Sequence, residues 1–98
     1  MSEEYNGWTN RETWAFMLNV DNDEGLYHES RDLVSGEEND VFSAAQLLEN
    51  WAETLLTRSG YESEFGADWP DALADMAAEI GSLWRIDWVE CANAILEG

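Results

Sequence analysis

Between Val41 and Leu56 the apolar residues recur on a helical period. Val41, Ala45, Leu48, Ala52 and Leu55 share one face, and Phe42, Leu47, Trp51 and Leu56 widen it. A stripe this broad requires cover on several sides, so the segment from Asn39 is expected to be the central helix, with Gly60 as its stop. The rest of the chain must supply the elements that cover it.

Those elements read as helices too. Thr9-Asn10-Arg11-Glu12 has the form of a capping box, Thr9 receiving the amide of Glu12 and the Glu12 side chain returning to the amide of Thr9. A helix should follow to about Val20 with Trp14, Met17 and Leu18 on its apolar face. Asp21-Asn22-Asp23 offers turn and cap chemistry, and Leu26, Ser30, Leu33 and Val34 give a shorter repeat that ends at Ser35-Gly36. Pro70 suits a first helical position, ahead of a face made by Trp69, Leu73, Met76, Ala77 and Ile80, with Gly81-Ser82 as the end. Asp87-Trp88-Val89-Glu90 opens a last helix, in which Ile86 is placed to staple against Cys91 and Trp88, Cys91, Ala92, Ile95 and Leu96 face inward. The stretch 61–68 alternates weakly and reads as a loop or a short extended segment near 61–65. The expectation is an all-α, single-domain bundle of four or five short helices over residues 1–98.

Charge then limits what such a bundle can bind. Twenty-two Asp and Glu stand against four Arg, with no Lys, for a formal net charge of -18. Chains with that imbalance and few apolar residues stay unfolded, but 45% of this one is hydrophobic, so collapse is supported. Self-repulsion opposes the collapse and should be relieved by salt. Direct nucleic-acid and anionic-membrane binding are disfavoured, whereas basic surfaces that hold phosphate backbones are favoured partners. The lone Cys91 excludes an internal disulfide, which fits a reducing cytoplasm, as does an opening, Met1-Ser2-Glu3-Glu4, without the pattern of a signal peptide.

The opening Tyr5-Asn6-Gly7-Trp8-Thr9-Asn10-Arg11-Glu12-Thr13-Trp14, followed by Asp21-Asn22-Asp23, resembles an uncharacterised family of small acidic proteins from phages, plasmids and archaea. The tail Ile86-Asp87-Trp88-Val89-Glu90-Cys91-Ala92 is similar to the same family's closing helix, with Cys91 in place of an aliphatic residue. The resemblance implies ancestry in mobile elements and no particular activity. In size and charge the chain is also similar to antirestriction and anti-CRISPR proteins that imitate DNA, an analogy of composition alone.

Candidate sites follow from charge more than from motif. Asp68, Asp71, Asp75 and Glu79 recur at three- and four-residue steps and should form an acidic ridge on one helix face, without a Lys or Arg among them. Glu49 and Glu53 on the polar face of the central helix, and Glu62 and Glu64 in the segment after it, are further candidates for contact with a basic partner. Each group reads either as part of a phosphate-imitating surface or as a solvated face.

Catalytic and metal readings find less support. A calcium loop starting at Asp21 puts Leu26 where glycine is needed and Asp32 where the bidentate Glu belongs. His28 lies four residues from both Glu24 and Asp32, a surface pairing that leaves zinc short of ligands. Cys91 lacks a basic neighbour and is expected in the core. Of the tryptophans, Trp14, Trp51 and Trp88 fit core positions, and Trp8, Trp69 and Trp84 stand at element boundaries. No cofactor is expected. The sequence thus points to a non-enzymatic acidic protein-binding module in the cytoplasm of a host cell, acting as a DNA-mimic inhibitor of a restriction, CRISPR or other DNA-binding protein. The alternative is a domain adapted to concentrated salt, acting as a structural or regulatory adaptor, whose carboxylates keep it hydrated.

Overall fold

Most of the helices begin at a side chain that satisfies their first free amides. Asn10, Asp23, Asp40 and Thr57 accept from the amides of Thr13, Leu26, Ser43 and Gly60, opening α1 (Arg11–Asn22), α2 (Glu24–Val34), α3 (Val41–Leu56) and α4 (Arg58–Phe65). Pro70 precedes α5 (Asp71–Ile80) without a side-chain bond. Asp87 accepts from the Glu90 amide at the start of α6 (Trp88–Glu97), and a 3-10 turn, Leu83–Arg85, links the last two helices. This computed structural model describes residues 5–97, so the readings made on Met1 to Glu4 lie outside the described residues. Within them the fold is all-α, with six helices where four or five were expected.

The additional helix is α4. The segment near 61–65 is neither a loop nor extended, and Gly60 does not stop α3. The break falls at Thr57, whose backbone is extended and whose hydroxyl donates to the Glu53 carbonyl while accepting from the Gly60 amide. One side chain therefore closes α3 and opens α4, and Gly66, at φ 62, ends α4 in the left-handed conformation. Extended pairing occurs instead at the start of the chain, where Tyr5 and Trp8 exchange backbone hydrogen bonds around Asn6-Gly7. Their φ values of 51 and 91 are those a two-residue hairpin turn demands, which is why Asn-Gly occupies it.

The caps also differ in detail from the sequence reading. Asn10, not Thr9, caps α1; the Thr9 amide donates to Glu90, and Glu12 pairs with Arg85. Helix α1 runs on through Asp21 and Asn22, so Asp23 alone caps α2, and Pro70 is the residue before the first turn of α5 instead of its first member. The Asp40 carboxyl is held below its ordinary range by the hydroxyl and amide of Ser43, the favourable environment of an N-cap acid.

Helix α3 packs against α2, α4, α5 and α6, with α1 completing the core beside α2, α5 and α6. Ala44, Ala45 and Ala52 are buried along α3 beside Leu48, small side chains that let the neighbouring helices approach. Phe16 is the largest fully buried side chain and meets Trp51 and Trp88 edge-on, at centroid distances of 6.5 Å and 5.0 Å. Phe42, assigned to the stripe by periodicity, is 73% exposed. It sits in the first turn, about 120° around the helix from Leu48. Trp14, Trp51 and Trp88 flank the core half-buried, as does Trp8 from an element boundary; Trp69 is half-buried with its indole N–H donating to the Leu55 carbonyl, and Trp84 is 81% exposed.

Candidate functional site

Asp71, Asp75 and Glu79 are all exposed on α5, at steps of four residues, each step a rise of about 6 Å. Asp68, also exposed, precedes the helix. The four acids are not equivalent. Glu79 accepts from the Asn19 side chain at 2.6 Å, and the carbonyls of Glu79 and Ile80 both accept from the Arg11 guanidinium. That cation stands at the helix C-terminus, where the helix dipole favours it, and offsets the negative charge at this end of the ridge. Asp68, Asp71 and Asp75 have no side-chain hydrogen bond or ion pair among the described residues. The unopposed part of the ridge is its N-terminal half, where Asp71 gains from the free amides of the first turn.

The remaining candidates stand on two other helices. Glu49 is half-buried and Glu53 exposed on α3, and the Glu53 carbonyl is engaged by Thr57. Glu62 is half-buried on α4 and pairs with Arg58 at 3.7 Å, one turn away. Glu64 is exposed at the edge of a groove between α2, α3 and α4. The eight acids thus lie on three helices and the approach to one of them, and only those of α5 form a single row.

The arginines explain why the acids remain uncompensated. Arg11 holds the end of α5; Arg31 pairs with Asp21 at 3.1 Å and lies 3.9 Å over the Tyr27 ring. Arg58 serves Glu62 and the Trp69 ring, and Arg85 serves Glu12 and the Trp84 ring. With no Lys, these four are the side-chain cations of the chain, and all of them act within the fold. Charge counting alone does not show this, because the partners are 1 to 73 residues apart in sequence.

His28 makes no pair with Glu24 or Asp32; its ring meets Tyr27 edge-on. No group of three or more His, Cys, Asp or Glu placed to hold a metal occurs among the described residues. Cys91 is fully buried, and burial, reinforced by the charges of Glu90, Asp87 and Asp21, pushes its thiol far above the ordinary range. Such a thiol stays protonated, which accords with core packing.

The opening motif has a structural role that its residue types only partly announced. Asn10 Oδ1 accepts from the Thr13 amide at 2.9 Å and its hydroxyl at 2.7 Å, while Asn10 Nδ2 donates to the Arg85 carbonyl at 2.8 Å. The Thr13 hydroxyl in turn accepts from the Asp87 amide at 2.9 Å. Adding the Thr9 to Glu90 and Glu12 to Arg85 contacts, the motif fastens the start of α1 to residues 85–90. Trp14 leans on Tyr5 at 4.8 Å, which sets the hairpin turn against α1.

A family of unknown function, DUF7249, matches residues 1–86 and so includes every residue of this motif. The chain belongs to DUF7249. No curated protein and no solved structure matches it. The DUF7249 match ends at Ile86, one residue before the cap of α6, yet the Asp87 amide donates to Thr13 and the Glu90 carboxylate accepts from the Thr9 amide, both in the matched segment. No helix among the described residues of this DUF7249 member is long and apolar enough to cross a membrane.

Proposed function

We propose that this chain is a non-enzymatic acidic module of a phage or related mobile element, which occupies the phosphate-binding surface of a host restriction, CRISPR or other DNA-binding protein. The observation that carries the reading is the use of every arginine inside the fold, which leaves Asp71 and Asp75, one turn apart on α5, and Asp68 on the approach to it as exposed, unpartnered carboxylates. Such a group attracts a basic cleft over long range, and the attraction falls with salt. Two carboxylates a helical turn apart stand about 6 Å apart along the axis, close to two nucleotide steps of a DNA strand at about 3.4 Å each.

Host lysate passed over the immobilised chain at low salt tests the reading. Captured proteins should be released by added duplex DNA, and reversing Asp68, Asp71 and Asp75 to Lys should weaken capture about tenfold. Reversing Glu24, Glu38 and Asp32, equally exposed, should have far less effect. Capture that DNA cannot displace, or equal loss from both triple variants, would overturn the proposal.

Exposed acids on α2, α3, α4 and α5 alike favour adaptation to concentrated salt as the second reading. Thermal melting separates the two. Raising NaCl from about 20 mM to about 500 mM shortens the Debye length from about 20 Å to about 4 Å, so the midpoint should rise by about 5 °C from an already folded state. A chain that folds only in molar salt would favour the second reading.

A further inference from the structure

The groove between α2, α3 and α4 is apolar where the surrounding surface is acidic. Leu47, Trp51 and Thr54 lie at i, i+4 and i+7 along α3 and form its floor, and Leu33 of α2 and Phe65 of α4 form its walls. It is an open groove of about 320 Å³. Phe65 is 53% exposed although its other neighbour, Tyr61, packs against it at 4.6 Å, so a large ring is held at the rim without cover. The wall exists because Gly60 lets α4 lie close on α3: a Cβ there would stand 2.5 Å from the Glu53 carbonyl oxygen.

Carboxylates mark both sides. Glu64 lines the α4 edge, and Glu29 of α2 accepts from the Trp51 indole N–H, while no arginine lines the groove. A second copy of this chain would bring another net charge of -18 to the same acidic surroundings. A basic segment is attracted there instead. We infer that this groove receives an amphipathic basic helix of a partner protein, with leucine-like anchors on Leu47, Trp51 and Phe65 and Lys or Arg beside Glu29 and Glu64. A floor of i, i+4 and i+7 residues between two walls is the shape that takes a helix bearing anchors at the same spacing. This contact is separate from the α5 ridge and does not depend on DNA mimicry: charge there sets the encounter, and apolar fit here sets which basic partner stays bound.

The probe is a labelled synthetic peptide of about 18 residues with Leu at i, i+3, i+4 and i+7 and Lys elsewhere, compared by fluorescence anisotropy with a scrambled peptide of identical composition. The ordered peptide should bind the wild-type chain about tenfold more tightly than the scrambled one, and the ratio should survive salt that weakens both. It should also shift the Trp51 indole resonance. Leu47→Ser and Phe65→Ser, checked for an unchanged melting profile, should each bring the ratio close to one, whereas Asp71→Lys with Asp75→Lys should leave it intact. Equal binding of the two peptides by the wild-type chain overturns the inference without using any variant. So does sedimentation as a dimer that Phe65→Ser dissolves, since the groove would then be filled by a second copy. Absence of DNA-displaceable capture by the wild-type chain, with the peptide ratio preserved, would reject the ridge and keep the groove.

Discussion

Replacing Asn10 by Ala should lower stability by about 3 kcal/mol, a fall in melting midpoint on the order of 15 °C for a chain of this size. Losing the N-cap of α1 accounts for about 1 kcal/mol. The remainder comes from the lost bridge: the part-buried Arg85 carbonyl loses the Asn10 donor, and the fully buried Thr13 hydroxyl loses its acceptor. Each buried group without a partner costs about 1 to 3 kcal/mol, well above the net worth of an ordinary hydrogen bond. Asn10→Ser separates the two contributions. Serine caps nearly as well as asparagine but has no amide to reach Arg85, so it should recover only about 1 kcal/mol. If serine restores full stability, the bridge to Arg85 contributes nothing. Hydrogen exchange gives a local check, because the Asp87 amide, held by Thr13, should lose protection in Asn10→Ala more than amides in α3 do.

That expectation changes what the opening motif means. Its Thr9 amide and its Asn10, Glu12 and Thr13 side chains are engaged with residues 85–90, and its Asn-Gly pair makes a turn. Residues that carry a family resemblance are therefore here the ones that close the fold on itself. The functional reading must rest elsewhere, on the exposed acids and the groove.

How far the sequence revealed this depended on whether the signal was local. The α3 stripe, the apolar face of α5 and the Asp87 cap were legible because period and cap chemistry lie within a few residues of one another. Sequence does not separate Thr9 from Asn10 as the cap, because both residue types cap helices and only tertiary contacts choose between them: the Thr9 amide is drawn to Glu90, 81 residues on. Phe42 lies outside the buried stripe because periodicity records direction around a helix and not whether another element lies there. Helix α4 was hidden by the ordinary reading of glycine as a stop, although Thr57 three residues before Gly60, and Tyr61 and Phe65 four apart, were available as a cap and a short apolar pair. At the candidate site, the regular spacing on α5 was visible, but the occupation of Glu79 by Asn19 and of the helix end by Arg11 required contacts 60 to 69 residues distant.

Gly60→Ala sets two local preferences against one contact. Alanine is the better helix residue by about 1 kcal/mol, and it restricts the unfolded chain, so in open space the change would stabilise. Here the added Cβ would meet the Glu53 carbonyl oxygen at 2.5 Å, the Thr57 hydroxyl at 2.6 Å and the Thr54 Cα at 3.2 Å. Two of those atoms are backbone of α3 and cannot swing aside. The third is the hydroxyl that caps α4, and moving it gives up its bonds to Glu53 and to the Gly60 amide. Relief therefore requires α4 to lift from α3, and overpacking of this kind outweighs the propensity gain, for a net loss of about 2 to 3 kcal/mol. Two other glycines calibrate the result. Gly36 has nothing within 4 Å and an ordinary φ, so Gly36→Ala should be neutral or stabilising by about 0.5 kcal/mol. Gly66 is equally open but at φ 62, so Gly66→Ala should cost about 1 kcal/mol from backbone strain alone. Urea melts should rank Gly60→Ala below Gly66→Ala and both below Gly36→Ala. A Gly60→Ala chain as stable as Gly36→Ala would mean that α4 does not lie against α3 at this separation, and the groove wall at Phe65 would be lost with it.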